Sequence, residues 1–150
     1  MIEDASSKYC IPEVNFKSKE WNIKGKKVLE INIPISTTTP HRAPDHNGKQ
    51  KVFVRVADQN ILANGVQMKI WQKLNANRDI SFNYSDDAKK LLSLLEQYNS
   101  LSIRQILPLQ KLSRFKVENI LAELIIMKII NMTIDEDITL FSLRDPVDES

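Results

Sequence analysis

The chain has 150 residues, 42% of them hydrophobic and 27% charged, a composition that excludes low complexity and wholesale disorder. Three Gly and one Cys exclude a disulfide framework, and the lone Cys10 points to a reducing compartment, so a cytoplasmic location is expected. No apolar run reaches the length of a membrane helix and no basic-then-apolar leader is legible, so no membrane partner is expected.

The net charge of +2 hides a division. Residues 1–80 carry 13 Lys and Arg against 8 Asp and Glu, whereas residues 81–150 carry 8 against 11. Affinity for nucleic acid comes largely from Lys and Arg displacing phosphate counterions. The basic excess therefore sits in the first half.

In chain order, residues 2–9 read as a short helical turn ended by Pro12. Glu13 to Ile23 is extended, with alternation at Val14, Phe16, Trp21 and Ile23. Lys24, Gly25 and Lys26 make a turn, and Val28 to Ile33 alternates as an antiparallel partner strand. A Pro-rich loop spans 34–48, and Val52 to Val56 is the next strand. Leu62, Val66, Ile70 and Leu74 recur every four residues, which predicts an amphipathic helix over 61–74.

The Asn-rich stretch 75–84 reads as a linker. Ser85 caps the next helix, whose first turn carries Asp86 and Asp87 and whose Leu91, Leu92, Leu94 and Leu95 face inward. Ser102 caps a short helix that Pro108 shortens or kinks. Ser113 caps a third, with Val117, Leu121, Leu124 and Lys128 on one face. Ile129 and Ile130 lead into a strand. Asp135, Glu136 and Asp137 then form an acidic turn before the strand 138–141. Three helices and a two-stranded wing over 85–145 predict a winged helix-turn-helix, followed by an acidic tail at 146–150.

The segment containing Gly25, Lys26, Val28, Leu29, Pro40, His41, Gly48, Lys49, Val54, Arg55, Val56, Ala63 and Asn64 resembles the second half of the AlbA_2-type domain, the prokaryotic relative of the Schlafen core. The resemblance covers about residues 1–74 and implies a small antiparallel sheet with a helix, so that the whole chain is expected to be α+β. It implies a transcriptional regulator that binds nucleic acid. The earlier half of that domain, which carries the carboxylates of RNA-cleaving relatives, has no counterpart here. RNA processing would require it.

On the third helix, Arg114, Phe115, Glu118, Asn119 and Ala122 are expected to face outward, where a recognition helix meets the major groove. Arg114, Lys116 and Asn119 are the candidate base or phosphate contacts, with Arg104 and Lys111 positioning the backbone. In the first half, His41, Arg42, Lys49 and Arg55 are candidate phosphate contacts. Lys24, Lys26, Lys27, Lys49 and Lys51 form a candidate basic patch. His41, Asp45 and His46 lack the spacing of a zinc site, so no metal is expected. Trp21 and Trp71 are expected in the core. Without a Gly-rich phosphate loop, a nucleophile elbow or a Cys/His pair, neither catalysis nor a cofactor is expected.

The sequence thus predicts a DNA-binding regulator, expected to be a homodimer, that reads DNA through helix 113–128. Its competitor is a protein-interaction or dimerisation module in which the outward Phe115 and Ile126 and the acidic wing meet a partner without base readout.

Overall fold

The computed structural model describes residues 2–76, 84–135 and 138–145. The chain is α+β, with five α-helices and small antiparallel sheets among these residues, and it divides into two units, Met1–Phe53 and Val54–Ser150.

The first unit opens with α1 (Ile2–Asp4), which runs into a π-helical turn at Ala5–Tyr9. There, Ser6 is buried and its hydroxyl donates to the Val14 carbonyl. Strands β1 (Lys17–Ile23) and β2 (Lys26–Asn32) form an antiparallel hairpin with Trp21 opposite Val28 and Lys19 opposite Glu30. The hairpin turns at Lys24 and Gly25, whose φ values of 53° and 77° explain a glycine at this point. Both strands are exposed along their whole length. Trp21 is therefore not a core residue as expected. It is 43% exposed, its indole N–H donates to Glu30 at 2.6 Å, and the Lys19 ammonium lies 3.7 Å from its ring centroid. A small bridge, β3 (Ala43–Pro44) with β4 (Gln50–Lys51), closes the turn around Asp45 to Gly48.

The second unit begins with a hairpin of β5 (Phe53–Val56) and β6 (Gln59–Leu62). Helix α2 (Gly65–Asn75) follows, starting later than the expected 61 because Ile61 and Leu62 end β6. Its start is fixed by a capping box. The Asn64 side chain accepts from the Gln67 backbone N–H at 2.9 Å, and the Gln67 side chain accepts from the Asn64 N–H at 2.8 Å. Val66 is fully buried and Ile70 packs on the core, but Leu62 and Leu74 are more than half exposed.

After the expected linker, most of which lies outside the described residues, come α3 (Asp86–Tyr98), β7 (Ser100–Ser102), α4 (Ile103–Gln110), α5 (Arg114–Ile126), β8 (Ile130–Asp135) and β9 (Ile138–Leu143). The short β7 was not legible in the sequence. It pairs with β9, giving a sheet in the order β7-β9-β8. The two long strands pair antiparallel up to Asp135 opposite Ile138, and Glu136 and Asp137 of the expected acidic turn lie outside the described residues. Serines start all three helices. Ser85 and Ser113 accept from the N–H groups of Ala88 and Lys116, and the Ser102 N–H donates to Gln105. Helix α4 carries Pro108 inside it and ends at Lys111, which takes the left-handed conformation.

Among the described residues, the thirteen buried apolar side chains all lie in this unit, including Leu91, Leu95, Ile106, Leu121, Leu124 and Phe141. Fully burying a side chain of this kind contributes roughly 1.5–3 kcal/mol, so the second unit holds the hydrophobic stability of the described chain.

Candidate functional site

Helix α5 is the element on which the expected site was placed, and it is covered on more than one side. Val117, Ile120, Leu121, Ala122 and Leu124 are all buried. Five such positions within eight residues cannot fit a single stripe, and a helix that is apolar round most of its circumference is enclosed by neighbours. The inner neighbours are α4 and β8. The outer neighbour is α2, whose packing on α5 is the most extensive helix–helix contact in the unit.

Three contacts and one buried residue mark the α2–α5 seam. Ala122, expected to face outward, has no exposed surface. Lys73 Nζ lies 2.7 Å from Glu123 Oε1, with each side chain about one quarter exposed. The Lys69 ammonium sits 3.8 Å from the Phe115 ring centroid, a cation–π contact that uses the face of a ring otherwise left open to solvent. At Gly65 a Cβ atom would overlap the Glu118 carboxylate, so the absence of a side chain lets the start of α2 approach α5 closely. The seam continues onto β9, where the Asn64 amide donates to the Thr139 hydroxyl at 3.2 Å.

The candidate nucleic-acid residues are occupied or dispersed. Arg114 Nε donates to Glu118 Oε1 at 2.8 Å, and the Glu118 side chain is only 12% exposed. Lys116 Nζ is 2.5 Å from Asp87 Oδ2, tying the start of α5 to the start of α3. The hydrogen bond from Lys116 holds the Asp87 carboxyl below the usual carboxylate range; partial desolvation opposes this, and the Lys116 and Lys90 charges add to it. The Asn119 amide donates back to the Phe115 carbonyl at 3.0 Å within its own helix. Arg104 and Lys111 are exposed on α4 and just beyond it. No continuous cationic face results. Asp135 adds an exposed carboxylate at the end of β8.

The four phosphate candidates of the first half do not form one site. Both ring nitrogens of His41 are taken, Nδ1 by the Pro12 carbonyl at 2.8 Å and Nε2 by the Ser36 hydroxyl at 2.7 Å. The Arg42 backbone pairs with Ile11 in both directions, which fastens the Pro-rich loop to the N-terminal segment. Lys49 gives its backbone N–H to the Asp45 carboxylate, which also accepts from Asn47. Arg55 belongs to the second unit and donates to Asn60 across its hairpin at 3.2 Å. Among the described residues, no group of His, Cys, Asp and Glu has the makings of a metal site, and no helix is long and apolar enough to cross a membrane.

Sequence reasoning missed Lys73 and Gly65 as partners of α5, Glu123 as the residue that meets Lys73, and Asn64 as a partner of Thr139 on β9. The available signal was the apolar face of α2, which needed something to cover, together with Ile120, Ala122 and Ile125 spreading apolar character round α5.

A scan against family models matches the PCI domain over residues 88–143, a little over a third of the chain. The matched segment runs from the first turn of α3 to the last residue of β9, and α2 lies outside it. No curated protein and no solved structure matches the chain. The match corrects the expected family, because neither the AlbA_2 and Schlafen families nor a winged-helix family is found. It also corrects the expected function. A PCI domain is a protein–protein scaffold module rather than a DNA-binding transcriptional regulator, and it supports protein assembly in place of a DNA partner. The geometry agrees: Arg114 and Lys116 are paired with Glu118 and Asp87, Asn119 bonds within its own helix, and α2 packs on α5 at Phe115, Glu118 and Glu123, leaving residues 113–116 as the exposed start of the helix.

Proposed function

We propose that this chain is a protein-interaction module whose C-terminal unit assembles with another polypeptide, and that it acts by binding rather than by catalysis. The observation that carries this reading is the α2–α5 seam. Helix α2 packs on α5 at Phe115, Glu118 and Glu123, and the cations at the start of α5, Arg114 and Lys116, are already paired with Glu118 and Asp87, which suits a helix built into a protein support better than one laid in a major groove. The similarity of residues 88–143 to the PCI domain supports the same reading.

The finer architecture fits it too. We read the order α3, β7, α4, α5, β8, β9 as a winged-helix arrangement that serves as a compact support for protein contacts instead of a base reader. Exposed apolar side chains on the first unit, among them Trp21, Val28, Leu29 and Ile31, are surface that a protein partner would cover. A second copy of the chain is one such partner, and the lone Cys10 fits a cytoplasmic setting.

The test is purification of the chain from the cells that make it, at moderate salt, with light scattering and absorbance read in line. The expected result is a particle heavier than the 17.3 kDa monomer, free of nucleic-acid absorbance, with cross-links from the partner falling on residues 54–145. A monomer that instead binds mixed-sequence duplex with steep salt dependence would overturn the reading.

A further inference from the structure

The groove between α3 and α4 has a chemistry that the contacts above leave unused. It encloses about 530 Å³, and its walls include Lys89, Lys90, Leu94, Leu109, Gln110 and Lys111, with no Asp or Glu and no aromatic side chain. Lys89 is drawn toward Asp86 at 3.4 Å. Lys90 and Lys111 are exposed, and neither forms an ion pair with any described residue. The lining itself therefore offers no carboxylate to its lysines, Lys90 sharing its field with Asp87 at the start of α3 and Lys111 standing without an ion pair among the described residues.

Gln110 adds a second, independent feature. Its Oε1 and Nε2 are both shielded from solvent, and neither has a hydrogen-bond partner among the described residues. Buried amide groups are nearly always paired, and an unpaired one is costly. A carboxamide in need of one donor and one acceptor is complementary to a residue of an extended strand, whose own N–H and C=O point to the same side.

We infer that this groove docks an extended acidic segment of a partner polypeptide. Carboxylates of that segment meet Lys90 and Lys111, an aliphatic side chain fits between Leu94 and Leu109, and the Gln110 amide turns toward the groove to pair with the segment's backbone. A single-stranded nucleic acid would also meet the lysines, but it would find no aromatic surface here on which to stack its bases. The inference rests on the assembly reading and names one contact surface within it.

The test is fluorescence anisotropy of the full chain with a short fluorescein-labelled peptide alternating Asp and Leu, at physiological salt, against the same peptide with Lys in place of Asp and against labelled oligouridylate. Saturable binding of the acidic peptide alone is expected. The double variant Lys90→Glu/Lys111→Glu weakens it by about tenfold or more, while the same charge change at Lys17 and Lys19 on the hairpin leaves it within about twofold. Gln110→Leu, which removes the amide at similar volume, weakens it several-fold without lowering thermal stability. Absence of saturable binding, equal loss in the hairpin control, or preference for oligouridylate overturns the groove assignment. Such a result leaves the assembly reading to its own mass and cross-linking measurement.

Discussion

Lys73 of α2 reaches across to Glu123 of α5, with Nζ 2.7 Å from Oε1 and both side chains about three-quarters removed from solvent. A fully exposed pair of this kind is worth little, because water screens it and ordering two side chains costs entropy. Partial burial strengthens it. A double-mutant cycle on Lys73→Met and Glu123→Gln, read by urea unfolding, should give a coupling energy of about 1 kcal/mol. A coupling near zero would mean that the two helices do not hold this register.

Gly65 gives a sharper test of the same seam. Adding a methyl group there places it against the Glu118 carboxylate, which Arg114 holds in place. Gly65→Ala should therefore destabilise the protein by about 1 kcal/mol, although alanine is the better helix former. Glu118→Ala in the same chain should recover most of that loss, since it removes the overlapping atoms. Equal urea midpoints for Gly65→Ala and the wild type would show that the Glu118 carboxylate swings aside at no cost.

Val66 is the fully buried residue through which α2 enters the core. Val66→Ala removes two methyl groups from a filled site and should cost about 2 kcal/mol in chemical unfolding. Leu74→Ala, on the same helix at a position half open to solvent, should cost well under half as much.

The Asp87–Lys116 pair predicts a pH dependence. Because the hydrogen bond from Lys116 lowers the Asp87 carboxyl below its ordinary value, the pair's contribution is complete above the ordinary carboxylate range and is lost as pH falls through the lowered value. Lys116→Met should therefore lower stability at neutral pH and leave a shallower decline on acidification. Parallel stability curves for the two proteins would remove the pair from the account.

The hairpin of β1 and β2 carries no buried side chain, and two strands alone are marginally stable in water. Its amide hydrogens should exchange well before those of β8 and β9, whose sheet packs on the Phe141 core. Equal protection in the two hairpins would mean that the first is covered in solution.

Much of the second unit was legible because its signals are local. Ser85, Ser102 and Ser113 each stand before an apolar periodic run and each begins a helix, and the strands expected on either side of the acidic residues are β8 and β9. The destination of α2 was not legible. Val66 and Ile70 announce a face that needs a partner, but periodicity does not say which helix supplies it. That gap is what placed residues 61–74 with the first half, whereas the helix packs in the unit that starts at Val54. It also left Ala122 facing solvent in the sequence reading, because one stripe of α5 was traced while Ile120, Ala122 and Ile125 extend its apolar surface round the helix. Trp21 misled for a related reason. Alternation predicts a half-buried strand, yet both faces of this hairpin are open, and an aromatic can be satisfied there by Glu30 and Lys19.

The account turns on whether α2 closes the outer side of α5, and thiol reactivity at Ala122 measures that most directly. In a Cys10→Ser background, Ala122→Cys should react with a soluble thiol reagent about a thousandfold more slowly in the folded protein than in denaturant, consistent with opening that requires loss of the helix packing. Phe115→Cys, at a position 65% exposed, should react within about tenfold of the unfolded rate. Rapid labelling at position 122 in the folded chain would contradict the account, because it would show the α5 surface open to a duplex after all.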